Sequence, residues 1–143
     1  MDFSFASAIS ASGMEVERAR LDVAAINLAN MHTTRTAGGG QFRPLRAIVS
    51  SDQFFSNVIS NIDSMMVSKP IVSMQETNIP PRLAYEPNHP DADKKGFVAY
   101  PGVDSVTEMV NLMTAVRAYE ANVVAMNAAK SMALKALEIG SNS

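Results

Sequence analysis

Cysteine is absent from the 143 residues, which excludes a disulfide framework, a thiolate zinc site and a cysteine nucleophile. Charge is scarce. Charged residues supply 18% of the chain, against about 25% in an ordinary soluble domain. The 12 basic and 14 acidic residues leave a net charge of -2, with no basic footprint for nucleic acid. No apolar run approaches the ~18 residues of a membrane span, so direct membrane insertion is not expected. Met1-Asp2-Phe3-Ser4 places an acid where a signal peptide needs basic residues, and no continuous apolar segment follows. The expectation is a soluble chain that is not a Sec-type precursor. Hydrophobic residues, at 47%, are ordinary, and the length suits a single domain.

Proline and glycine are missing from two long stretches, and these read as helices. From about Ser4 to Met31 there is no proline and one glycine, Gly13, with dense alanine and good helix formers at Glu15, Glu17, Arg18 and Arg20. Ser105 to Glu138 has neither residue. Ser105 and Glu108 have the spacing of a capping box, and Gly140 is placed as a C-cap. The middle is different. Gly38-Gly39-Gly40 marks a loop, Leu45–Val49 and Ile71–Met74 read as strands, and Met65–Val67 is a third candidate. Ile79 to Pro90 holds four prolines and reads as extended or turn-like. Gly96–Tyr100 reads as a last strand. The fold class is α+β, mainly α, with two long terminal helices pairing as an antiparallel coiled-coil-like hairpin around a small β-rich middle. The boundaries fall at residues 1–35, 36–103 and 104–143.

Seven-residue columns run along both helices. Met109, Val116, Val123, Lys130 and Leu137 form one column of the last helix, and Leu112, Tyr119, Met126 and Ala133 its companion. Together they make an a/d seam over about four heptads. The first helix carries Ile9, Val16, Val23 and Asn30, with Ile26 beside them, and a second column of Met14, Leu21 and Leu28 more than 120° around the helix. A hairpin uses one stripe of each helix and leaves the other open. A last helix of about 34 residues is about 51 Å long, whereas a globule of this chain length is roughly 37 Å across. Apolar stripes on such a helix favour burial against other chains. A self-contained hairpin with a β cap fits the same pattern.

Catalytic chemistry has little support. Asp91-Ala92-Asp93-Lys94-Lys95-Gly96 opens like a calcium loop but has Lys95 at the fifth position and Gly102 at the twelfth, where oxygen ligands are required. His32 and His89 lack a ligand or acid partner at useful spacing. Gly38-Gly39-Gly40 lacks the Lys-Ser/Thr of a phosphate loop, and no serine sits in a nucleophile-elbow pattern. No cofactor or metal site and no enzyme class emerges. Three polar features remain. Asn27 and Asn30 either fray the end of the first helix or fix its register through amide hydrogen bonds. Arg117 lies outside the seam, exposed or gripping a neighbour's carboxylate or carbonyls. Tyr119 lies in the seam and needs a partner for its hydroxyl, with Asn122 close by.

At these residues the chain resembles bacterial flagellar axial proteins. Asn27-Leu28-Ala29-Asn30 is similar to their N-terminal signature. Glu108-Met109-Val110 followed by Arg117-Ala118-Tyr119-Glu120-Ala121-Asn122 is similar to their C-terminal one. Tyr85 to Asp93, Gly96-Phe97-Val98, Pro101-Gly102-Val103-Asp104 and Ala129-Lys130-Ser131-Met132 resemble the proximal members of the basal-body rod family. The resemblance is weak from Ser50 to Ile79, and His32-Thr33-Thr34-Arg35 replaces a Thr-Pro-Gly-Tyr-like turn common among axial relatives.

The resemblance implies a structural subunit of the flagellar rod. It implies export through the flagellar type III apparatus without a cleaved signal, and assembly in the periplasm. The terminal helices would form the inner layers of a helical tube, with the middle domain further out. The implied partners are copies of itself, FlgB, FlgF, FlgG and the adapter FliE. The implied subunit interface comprises Ile9, Met14, Val16, Leu21, Val23, Ile26, Asn27, Leu28 and Asn30 on the first helix. On the last helix it comprises Met109, Leu112, Val116, Arg117, Tyr119, Asn122, Val123, Met126 and Leu137. The alternative is a type III secreted coiled-coil binding or translocator protein, which shares the helices and the export logic but not the two axial signatures.

Overall fold

A computed structural model describes residues 3–50 and 70–141. Two long helices flank four short strands. Helix α1 spans Phe3–Asn30, strand β1 Leu45–Ser50, β2 Ile71–Glu76, β3 Arg82–Tyr85, β4 Phe97–Tyr100, and helix α2 Ser105–Ser141. Strands β1 and β2 form one two-stranded sheet, and β3 and β4 a second. The candidate strand at Met65–Val67 lies outside the described residues. Among the described residues the chain forms two compact units, one of residues 3–19, 49–50, 70–73 and 114–141, the other of 20–48 and 74–113.

In the first unit, Gly13 of α1 lies against Asn122 of α2, where a Cβ on Gly13 would stand 2.9 Å from the Asn122 Nδ2. In the second unit, Asn27 Nδ2 donates to Glu108 Oε1 at 3.3 Å. Each unit thus holds a contact between α1 and α2. Past the first turn, the covered α2 positions are Glu108, Leu112, Ala115, Ala118, Asn122, Val123, Met126, Ala129 and Ala133, which apart from Val123 are spaced by three or four. Within the subunit the column one residue earlier, at Glu108, Ala115, Asn122 and Ala129, is covered along its length, whereas of the expected column Val123 is half-buried and Lys130 exposed. Met109, Val116 and Leu137 are exposed. The physical reason is closeness of approach. Ala115 and Ala129 are almost wholly buried, and small side chains let the helix backbones come near where methionine and valine would hold them apart.

Both strand segments expected around the centre are present, each slightly longer than its expected span. The segment from Ile79 to Pro90 forms strand β3 with four of its residues and then turns from Pro87 to Pro90, so both expected forms occur in it. Its prolines bracket the strand at Pro80, Pro81 and Pro87 and leave the ladder free to form. Strand β3 pairs antiparallel with β4, with Arg82 opposite Tyr100 and Tyr85 opposite Phe97. Val98 is fully buried on the inner face. The turn between the strands is held by Asp93, whose carboxylate accepts from the Lys95 and Phe97 amides at 2.8 and 2.9 Å. The residues that opened like a calcium loop therefore serve a turn.

Both helix ends depart from expectation. Asp104, not Ser105, caps α2. Its carboxylate accepts from the Thr107 amide at 3.2 Å and from the Thr107 hydroxyl. Glu108 does not close a capping box on Ser105, because its carboxylate is engaged by Asn27. At the other end Gly140 lies within α2 and lacks the positive φ of a C-cap.

The hydrogen bonds from the Thr107 hydroxyl and amide hold the Asp104 carboxyl below its ordinary 3.8. A depressed folded value means that this cap stabilises fully above the ordinary carboxylate range and is lost as pH falls through it. The unfolding temperature of the parent is expected to fall more steeply than that of Asp104→Ala between about pH 5 and pH 2. Parallel slopes in thermal melts would overturn the cap assignment.

Candidate functional site

Asn27 is the polar centre of the second unit. It is 1% exposed. Its Oδ1 accepts from the Leu45 amide at 2.8 Å, and its Nδ2 donates to the Leu45 carbonyl at 3.0 Å as well as to Glu108. One carboxamide therefore ties α1, β1 and α2 together, with both of its hydrogens and its oxygen used. This settles the choice left open for Asn27 in favour of register-fixing hydrogen bonds. Asn30 has a local role. Its Nδ2 donates to the Ile26 carbonyl at 2.9 Å, and its Oδ1 accepts from the Thr33 hydroxyl at 3.2 Å, closing the end of α1.

The other expected interface residues separate into three groups. Val23 is buried, while Met14, Val16, Leu21, Ile26 and Leu28 on α1 and Leu112, Asn122, Val123 and Met126 on α2 are half-buried. Ile9, Met109, Val116, Arg117, Tyr119 and Leu137 are exposed. The expectation that one α1 stripe stays open is corrected, because Met14, Leu21 and Leu28 are covered about as much as Val16. The open apolar surface lies mainly on α2, where Val106, Met109, Val110, Met113, Val124, Met132, Leu134, Leu137 and Ile139 are all exposed. So many exposed large apolar residues on one helix are rare on a free-standing protein. Arg117 takes its default exposed position.

A second cluster escaped sequence reasoning. The Tyr100 hydroxyl donates to Glu86 Oε2 at 3.0 Å, and this bond pushes the phenol above its ordinary value. The Arg82 guanidinium stands 5.7 Å from the Tyr100 ring centre. His32 and His89 meet the same ring edge to face, at 6.2 and 6.4 Å between centroids. Residues far apart in sequence meet here, so spacing alone carries no signal of it. The cluster joins the end of α1 to the β3–β4 hairpin, helped by the Thr34 hydroxyl, which donates to Asp91 Oδ2 at 2.7 Å.

A cleft of about 270 Å³ is lined by residues including Gln41, Arg43, Thr77 and Gly102, with no acid, histidine or cysteine among its lining residues. The Thr77 hydroxyl there donates to the Pro44 carbonyl at 2.7 Å. Among the described residues there is no group of three or more histidine, cysteine, aspartate or glutamate side chains placed to hold a metal, and no helix is long and apolar enough to cross a membrane.

Comparison with known proteins agrees with the helix signatures. Residues 94–139 match the family described as flagellar basal body rod FlgEFG protein, C-terminal. The flagellar basal-body rod protein FlgC of Bacillus subtilis is 41% identical, covering 92% of this chain and 94% of its own length. The FlgC proteins of Borreliella burgdorferi and Salmonella typhimurium are each 36% identical, covering 92% of this chain and 93% of their own lengths. With identity at this level spread over nearly the whole sequence, the chain belongs to the FlgC family of flagellar basal-body rod proteins.

Proposed function

We propose that the chain is a structural, non-enzymatic subunit of the proximal rod of the flagellar basal body, and that it polymerises through its terminal helices into the drive shaft that transmits torque. The observation that carries this reading is the exposed apolar surface of α2. Burying it at about 25 cal/mol per Å² over many parallel contacts supplies a stiff, non-covalent shaft. Residues 1–35 and 104–143 form the rod core and residues 36–103 the outer domain. Its neighbours are copies of itself, FlgB, FlgF, FlgG and the adapter FliE. It reaches the periplasm through the flagellar type III export apparatus without a cleaved signal. The low charge fits this role, since stacked identical copies with highly charged helices would repel one another.

Val116 provides the test. It is exposed in the free subunit, so Val116→Asp leaves the hairpin intact while placing a charge in the contact between subunits. An uncompensated buried charge costs about 3–5 kcal/mol, or roughly two to four orders of magnitude in association. In a strain lacking the parental gene, the variant is expected to be exported normally, with rods and motility lost. Normal motility and normal rods by electron microscopy would overturn the assignment. Val123→Asp is less informative because Val123 is half-buried within the subunit.

A further inference from the structure

Sulfur in this chain is entirely methionine, which occurs ten times. The seven described methionines divide by exposure. Met14, Met31 and Met126 are half-buried, whereas Met74, Met109, Met113 and Met132 are exposed. Met109 and Met113 are 56% and 54% exposed and stand four residues apart on α2, so they are neighbours on one helix face. Val106 and Val110, also exposed, complete an apolar stripe over two turns. Two thioethers thus lie open side by side near the start of α2, on the apolar surface proposed as the subunit contact, with the third exposed thioether of that helix, Met132, well apart from them.

We propose that Met109 and Met113 form an oxidation site, and that their conversion to sulfoxides by peroxide switches off the free subunit's capacity to assemble. Each thioether sulfur takes one oxygen atom from hydrogen peroxide. The S–O bond forms, the peroxide O–O bond breaks and water leaves. The sulfur loses two electrons, and the peroxide gains them. The product is polar and strongly hydrogen-bond accepting. A sulfoxide buried against an apolar neighbour lacks a donor, and that loss of contact repeats in every copy of the subunit. The same chemistry makes the block reversible by methionine sulfoxide reduction. This inference rests on the reading of the α2 surface as a subunit contact, and the experiment separates the two.

The purified full chain is treated with hydrogen peroxide, and peptide mass spectrometry follows the gain of one oxygen at each methionine. Met109 and Met113 are expected to oxidise roughly fivefold faster than Met14 and Met126. Equal rates overturn the site. In cells, Met109→Gln/Met113→Gln, which mimics the polar sulfoxide, is expected to be exported but to leave few rods. Met109→Leu/Met113→Leu, which keeps apolar bulk but has no sulfur to take up oxygen, is expected to form rods in equal number with and without peroxide during growth, whereas the parent forms fewer with it. Normal rods from the glutamine variant overturn the switch, and so does an equal loss of rods to peroxide in the leucine variant and the parent. The third arm oxidises isolated basal bodies. Protection of Met109 and Met113 there supports the surface as a subunit contact. Reactivity equal to that of the free chain overturns that contact, and the switch with it, whereas selective oxidation of the free chain would still identify the site.

Discussion

Asn27→Asp is expected to be the most damaging single-atom-scale change in the second unit. The substitution keeps the shape of the side chain and the acceptor for the Leu45 amide. It removes the donor that serves the Leu45 carbonyl and Glu108, and sets a carboxylate where those two oxygens converge. At 1% exposure the new charge has no access to water. Breaking a buried polar arrangement in this way costs about 3–5 kcal/mol, a large share of the 5–15 kcal/mol that holds a typical domain. Urea unfolding followed by circular dichroism should show the midpoint falling sharply. Adding Glu108→Gln returns a donor to the site, and the double variant is expected to recover about 1–2 kcal/mol relative to additivity. A variant as stable as the parent, or strict additivity, would show that the carboxamide holds nothing together.

The second large effect is expected at Gly102. A Cβ there would stand 2.5 Å from the Pro80 carbonyl oxygen and 2.7 Å from Ile79 Cγ2. The nearer obstacle is backbone, stiffened by Pro81 immediately after it, so no rotamer change relieves the contact. Gly102 also sits between the buried Pro101 and the helix cap at Asp104. Any shift that accommodates a methyl group therefore disturbs the start of α2. Overpacking of this kind costs about 1–3 kcal/mol and occasionally more. Gly102→Ala is expected to melt lower by roughly 10 °C for a chain of this size. Gly140→Ala is the matched control. It is helical, and a Cβ added there would meet nothing within 4 Å, so replacing this helical glycine stabilises by up to about 1 kcal/mol. Equal melting temperatures for Gly102→Ala and the parent would overturn the steric argument.

Much of the fold was legible because it rests on local rules. The two helices follow from long intervals without proline, and β1, β2 and β4 from short β-branched or aromatic runs with clear borders. The misreadings share a cause, which is that several local signals competed. Ser105 and Glu108 satisfy the capping-box spacing, but Asp104 stands one residue earlier and Glu108 is claimed from across the fold by Asn27. Two seven-residue columns lie side by side on α2. Apolarity favours Met109 and Val116, while close helix packing selects Ala115 and Ala129. The knot of Tyr100, Glu86, His32, His89 and Arg82 had no local signal, because its members come together only when the hairpin meets the end of α1. Asn27 was recognised as a residue that either frays or anchors. Choosing between these required its partner, Leu45, which no helix pattern points to.

The two bonds between Asn27 and Leu45 have a consequence for which surfaces stay closed. Among the described residues strand β1 pairs with β2 alone, and such an edge offers its amides and carbonyls to any extended chain that drifts past. At Leu45 that offer is withdrawn. The carboxamide of Asn27 presents a donor and an acceptor to one residue's N–H and C=O, as a paired strand would, and does so from a helix that cannot propagate a sheet. Subunits that gather at high local concentration before they stack are in danger of joining edge to edge as well as face to face. A single asparagine on α1 imitates a paired strand at the first residue of β1, closing that end of the edge to unwanted pairing.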